Sequence, residues 1–150
     1  MSIPSVMRSC VFTPAHARRM CEGLWTWGPD AVILDLEDAV PPSKKPEARQ
    51  LLREHVPLVA MGGATVIVRV NHDTIDEDCE AAIWPGVSSI YYPKSEWPEE
   101  IRYLDAVITR LEHERDILPG SVSIKPLIET AQGIVNAYAI AASSPRIREF

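Results

Sequence analysis

Three short stretches of this 150-residue chain set charged side chains where an apolar, strand-like run ends: Asp35-Leu36-Glu37-Asp38, Val68-Arg69-Val70-Asn71 and Pro126-Leu127-Ile128-Glu129-Thr130. In parallel α/β folds the carboxyl ends of the strands face the ligand crevice. Acids and an arginine gathered at such ends therefore predict a site that binds an anion and a metal.

Each of these groups also has a purely structural explanation. Glu37 and Asp38 fit the start of a following turn or helix, where acids stabilise unpaired N–H groups. Glu129 fits the same role ahead of a helix beginning near Ala131. Arg69 is harder to explain that way, because an apolar strand tolerates arginine only when it is paired or at the strand end. Its candidate partners are Glu37 and Asp38. Arg8 and Lys94 can be read as ordinary solvated charges. His16, His55, His72 and His113 have no ligand spacing and read as surface residues, with His72 beside the end of the Arg69 strand.

The elements that must position these groups alternate along the chain. Strand-length runs at Ser9 to Thr13, Ala31 to Asp35, Thr65 to Val70, Ser89 to Tyr92 and Val122 to Ile128 are mostly continuous Val/Ile sequence, as strands buried on both faces should be. Between them lie helical patterns, the arrangement of βα units around a parallel sheet. The segment from Pro46 to Arg53 has proline in its first turn, with Pro57 expected to end it. From Pro98 to Arg115, Ile101, Leu104, Ile108 and Leu111 line one helical face. Gly133 to Ala142 has few charges, which predicts a helix packed on both sides or awaiting a neighbour, ended by Pro145. Arg146 to Phe150 then reads as the approach to another strand.

Five βα units fit two architectures: a complete five-stranded doubly wound sheet of flavodoxin type, or the first part of a (β/α)8 barrel, which typically needs about 250 residues. No G-x-G-x-x-G or P-loop motif follows any strand, which weighs against a nucleotide-binding doubly wound fold.

Composition narrows the function classes. With 46% hydrophobic residues the chain can build a sizeable core. Its 21 acids against 15 Lys plus Arg give a net charge of −6, which argues against nucleic-acid or membrane-surface partners. The 3 cysteines, Cys10, Cys21 and Cys79, form no CxxC pair and predict reduced thiols in a cytoplasmic protein. No run approaches the roughly 18 apolar residues of a membrane span.

Read together, the motifs resemble the HpcH/HpaI aldolase and citrate lyase β-subunit (CitE-like) family. The match runs from about Met7 to Phe150 and rests on Arg8-Ser9, the stretch from Asp30 to Val40 containing Asp35-Leu36-Glu37-Asp38, Val68-Arg69-Val70-Asn71, Tyr92-Pro93-Lys94, and Pro126 to Gly133 followed by Asn136-Ala137. Any one of these is weak; five in order are strong.

The resemblance implies a TIM barrel, Mg²⁺, and cleavage or formation of a carbon–carbon bond in 3-hydroxyacyl-CoA thioesters of the citryl-CoA or malyl-CoA type, giving acetyl-CoA plus a 2-oxo acid. It implies that Glu129 is a metal ligand and binds substrate through it, and that Arg69 holds substrate oxygens. Glu37 and Asp38 would order this arginine and the metal's waters, and Arg8 and Lys94 would lie near the acyl and carboxylate ends of the ligand. The family's glycine after Pro14 is replaced by Ala15, and its second metal carboxylate, an aspartate after strand six, lies beyond the chain. On this reading residues 1–150 are the N-terminal part of a single TIM-barrel lyase domain, with strands six to eight absent. Such a portion would have unpaired sheet edges, would associate, as a homo-oligomer, and would turn over weakly or not at all alone. A non-catalytic, partner-dependent subunit and a metal-dependent aldolase acting on free 2-oxo acids are the alternatives.

Overall fold

The strand-length runs form five strands, β1 (Cys10–Pro14), β2 (Ala31–Asp35), β3 (Thr65–Arg69), β4 (Val87–Tyr92) and β5 (Ser123–Pro126), in a computed structural model that describes residues 7–148. They alternate with α1 (Arg18–Leu24), α2 (Lys45–Ala60), α3 (Ile75–Ala82), α4 (Pro98–Glu114) and α5 (Ala131–Ala141). All strand pairs are parallel and the spatial order is β1-β2-β3-β4-β5.

That order decides between the two architectures. A flavodoxin-type sheet reverses its winding and has helices on both faces, with order 2-1-3-4-5. Here the winding never reverses. Val32, Leu34, Val66, Val68, Ile90 and Ile124 pack with Leu52, Val56 and Val59 of α2 and with Ile101, Leu104, Ile108 and Leu111 of α4 in one large core. The opposite face carries only a small cluster of Ala31, Ile33 and Ile67. The sheet is also curled: Phe12 on β1 and Tyr91 on β4 have ring centroids 6.5 Å apart. Three flat strand spacings would separate them by about 14 Å. The chain is therefore a (β/α) barrel portion of five units, and the doubly wound alternative is excluded.

Register then aligns the inner face. Asp35 pairs with Arg69, Arg69 with Tyr91, and Tyr91 with Lys125, one row across the carboxyl end of the sheet. A one-residue slip would turn this row outward into the helices.

Two local expectations are corrected. Pro57 does not end α2, which runs to Ala60. Burial of Val56 and Val59 on the core offsets the one backbone hydrogen bond that Pro57 removes in the last turns. His55 is not a surface residue: it lies on the buried stripe Ala48, Leu52, His55, Val56, Val59 and its Nδ1 is 2.9 Å from the Ala15 carbonyl oxygen. On α5, Ile134, Val135 and Tyr138 are exposed, so this helix awaits a neighbour rather than packing on both sides. After it, Ile147 bridges to Ile124 in the parallel sense, as a sixth strand would begin. Among the described residues no helix is long and apolar enough to cross a membrane, and Cys10, Cys21 and Cys79 are free thiols.

Candidate active site

The end of β2 turns a strand acid into a clamp. Asp35 is fully buried, and its carboxylate accepts four hydrogen bonds: Arg69 Nε and the Glu37 N–H on Oδ1 at 2.7 and 2.9 Å, and an Arg69 terminal NH2 and the Ala39 N–H on Oδ2 at 2.6 and 2.9 Å. Burial by itself would raise the Asp35 pKa, but the Arg69 and backbone donors outweigh it and hold the carboxyl below its usual range. The same bidentate contact, with Asp35 the largest contributor, raises Arg69 further.

Glu37, 7% exposed, completes the clamp. Its Oε2 lies 2.9 Å from the remaining Arg69 terminal nitrogen and its Oε1 accepts from Lys94 Nζ at 2.5 Å. The Oε2 contact is an ion pair without hydrogen-bond alignment. Arg69 thus donates two of its five N–H groups to Asp35 and turns its remaining terminal nitrogen to Glu37 in an ion pair, which leaves N–H groups on both terminal nitrogens for a ligand. Its guanidinium also lies 4.9 Å from the Phe12 ring centroid.

Lys94 links two acids. It sits in the left-handed region, φ 50°, after β4, where its backbone N–H donates to Glu129 Oε2 at 3.1 Å while its ammonium reaches Glu37. The Glu37 bond is the main reason that its pKa is raised. A non-glycine residue held at positive φ by bonds at both ends is the kind of strain that sites retain.

Neither Glu37, Asp38 nor Glu129 caps a helix. The residue before α2 is Lys44, and the residue before α5 is Thr130, whose hydroxyl accepts the Gly133 N–H at 3.0 Å. Asp38 is exposed on the wall of a pocket of 400 Å³ shared with Glu37, Lys94, Thr130, Asn71 and His72. His72 stacks on Tyr92, with ring centroids 5.4 Å apart, and its Nε2 lies 3.1 Å from Glu100.

Arg8 is not brought to this cluster. Its backbone N–H donates to Asp30 at 2.9 Å and its guanidinium lies 3.9 Å from the same carboxylate, beside the amino end of β2. Asp35 and Arg69 mark the other end of the strands, so the motif opening the first strand serves its N-terminal anchorage. Ala15, at the turn where the resemblance expected glycine, is buried, and its N–H donates to the Asp35 carbonyl at 2.9 Å.

Asp35 and Asn71 lie in the strand-end stretches marked by sequence but were given no role of their own, and Lys45 was not marked at all. Asn71 donates its side-chain amide to Asp78 at 2.7 Å and to the Leu36 carbonyl at 2.9 Å, tying the loop after β3 to the loop carrying Glu37. Arg49 on α2 pairs with Asp78 at 2.6 Å behind it. The position of Asn71 after Val68-Arg69-Val70 was the available signal; the distances from Asn71 to Lys45 and Asp78 in the chain hid the rest.

Among the described residues no three Cys, His, Asp or Glu side chains converge to hold a metal. Glu129 nevertheless offers an exposed carboxylate with one oxygen outside the Lys94 contact. One carboxylate with waters is a fit for magnesium, which binds few protein oxygens, and not for a soft metal.

The model of the HpcH/HpaI aldolase/citrate lyase family matches residues 8–149. Citrate lyase subunit beta of Leuconostoc mesenteroides subsp. cremoris is 33% identical over 150 residues, covering 98% of this chain and 50% of the relative. Malyl-CoA/beta-methylmalyl-CoA/citramalyl-CoA lyase of Chloroflexus aurantiacus is 35% identical over 127 residues, 81% of this chain and 36% of that one. Among solved structures, the citrate lyase beta subunit of M. tuberculosis complexed with oxaloacetate and magnesium superposes with a TM-score of 0.68 at 28% identity, over 97% of this chain and 57% of that one. The chain spans about half the length of the curated citrate lyase subunits it matches.

Proposed function

From the premise that this chain belongs to the HpcH/HpaI aldolase/citrate lyase family, we propose that it serves a magnesium-dependent carbon–carbon lyase. The reaction would join or cleave a 3-hydroxyacyl-CoA thioester of the citryl-CoA or malyl-CoA type, giving acetyl-CoA and a 2-oxo acid. Relatives named as citrate lyase and malyl-CoA lyase subunits support this class. Residues 1–150 are then the N-terminal part of one TIM-barrel lyase domain acting in the cytoplasm.

The observation that carries the reading is Arg69. A guanidinium 12% exposed, hydrogen-bonded to Asp35, ion-paired to Glu37 and with N–H groups left on its terminal nitrogens, is preorganised to hold the carboxylate of a 2-oxo acid. Because its orientation is set before substrate arrives, little reorganisation is needed when charge shifts onto or off the 2-oxo oxygen as the carbon–carbon bond forms or breaks. Glu37, held by Lys94 and Arg69, keeps that orientation, and Asp38 is placed to order waters in the pocket. Glu129 would hold magnesium, as the bound metal in the M. tuberculosis relative supports. A magnesium ion held there would supply Lewis-acid stabilisation of negative charge on the substrate's oxygens.

Assay of acetyl-CoA with oxaloacetate or glyoxylate, beside pyruvate with an aldehyde, tests the class. Condensation only in the second pair would replace the CoA lyase by an aldolase acting on free 2-oxo acids. Arg69→Gln and Glu129→Gln should each abolish product.

One observation favours a partner-dependent reading of residues 1–150 alone. The free edge of β1 borders an apolar groove of 460 Å³ lined by Phe12, Met20, Leu24 and Trp27, and α5 leaves Tyr138 88% exposed. Such surfaces drive association, so homo-oligomerisation and weak or absent solo turnover are proposed. A monomer by sedimentation would refute the association.

A further inference from the structure

We propose that Lys45 is a specificity-determining residue of the pocket, taking a second anionic group of the substrate and so selecting 2-oxo acids that carry two carboxylates. The inference rests on the lyase reading above and names its substrate class.

Two cations at the site already have acid partners: Lys94, on the wall of the pocket, bonds to Glu37, and Arg69, which adjoins the pocket through Glu37, pairs with Asp35 and Glu37. His72 lies against Glu100. Lys45 lines the same 400 Å³ pocket, is half-buried, and among the described residues has a single polar partner, the neutral Oδ1 of Asn71. Asp38 and Asp73 line the pocket too, yet neither pairs with it.

Its position is also unfavourable for stability. Lys45 opens α2, where the helix dipole repels a cation. Asn71 does not require it, because the Asn71 amide is already oriented by Asp78 and the Leu36 carbonyl. A half-buried ammonium at a helix start with no counterion is a charge held for a ligand, and the pocket it faces is large enough for a small dicarboxylate. With Arg69 binding the carboxylate beside the 2-oxo group, Lys45 is left for the distal one.

The test is calorimetric titration of the protein at its natural length, with saturating Mg²⁺, using oxaloacetate and pyruvate, for wild type, Lys45→Met and Lys45→Arg. Wild type should bind oxaloacetate at least about 10-fold more tightly than pyruvate, the scale of one charge-assisted hydrogen bond. Lys45→Met should bring the two affinities within about 2-fold by weakening oxaloacetate alone, and Lys45→Arg should restore the preference. A wild type without preference, a Lys45→Met that keeps it, or an equal loss for both acids would overturn the inference and leave the lyase reading standing. Binding of neither acid by wild type would overturn both.

Discussion

Asp35→Asn tests the central clamp, because the geometry leaves the amide no good orientation. Each Asp35 oxygen accepts one Arg69 N–H and one backbone N–H. Whichever oxygen becomes NH2, two of the four bonds are lost and a donor faces two donors. Arg69, largely buried, keeps only Glu37 as a charged partner. Breaking a buried pair from one side costs about 3–5 kcal/mol; because Glu37 remains, the lower end, about 3 kcal/mol, applies. For a chain of this size that is a fall in Tm of about 6–12 °C. Thermal and urea unfolding followed by far-UV circular dichroism at pH 7 measure it. The sign of the pH dependence follows from the lowered Asp35 pKa. Its stabilisation is complete above the unfolded value of about 3.9 and is lost as pH falls through the lower folded value. The gap between wild type and Asp35→Asn should therefore close below about pH 4. A loss under about 1 kcal/mol at pH 7, or a gap that widens with acid, would refute the clamp.

Gly133→Ala should destabilise by about 1–3 kcal/mol, since a Cβ there would come within 2.4 Å of the Ser95 carbonyl oxygen on the loop after β4; an unchanged Tm would show that α5 moves freely. Lys94→Gly keeps the left-handed backbone and its N–H to Glu129 but removes the bond to Glu37. It should retain Mn²⁺ binding within about 2-fold, whereas Lys94→Val, strained at that φ, should lose about 10-fold or more; paramagnetic relaxation titration reads both, and equal affinities would refute a backbone role. Tyr138→Ser on the exposed face of α5 should leave the unfolding midpoint within about 0.5 kcal/mol while reducing association in sedimentation velocity; unchanged association would place the contact elsewhere. Glu112→Gln should destabilise by at least about 2 kcal/mol, because this buried acid accepts from Arg146, Gly120 and Val122; urea unfolding checks it.

What the sequence determined by itself is what is written in local pattern. Strand-length apolar runs, most of them rich in Val and Ile, placed all five strands, and the spacing of Ile101, Leu104, Ile108 and Leu111 placed α4, because burial on a strand or a helical stripe leaves its mark in the chain. Charges at strand ends likewise marked Glu37, Asp38, Arg69 and Glu129 before their surroundings were known. Tertiary structure alone decided which charges meet. Register put Asp35, rather than Glu37 or Asp38, against the length of Arg69, since pairing in a parallel sheet depends on how two distant segments align. It moved Arg8 to the opposite end of the strands, buried His55, and carried α2 past Pro57. The choice of barrel over doubly wound sheet came from the curl that brings Phe12 to Tyr91 and from the sequential strand order, properties of the sheet as a whole. Lys45 and Asn71 meet across 26 positions of chain for the same reason. Hydrophobic periodicity is a property of each segment, whereas charge pairing belongs to the space between segments, and only the fold defines that space.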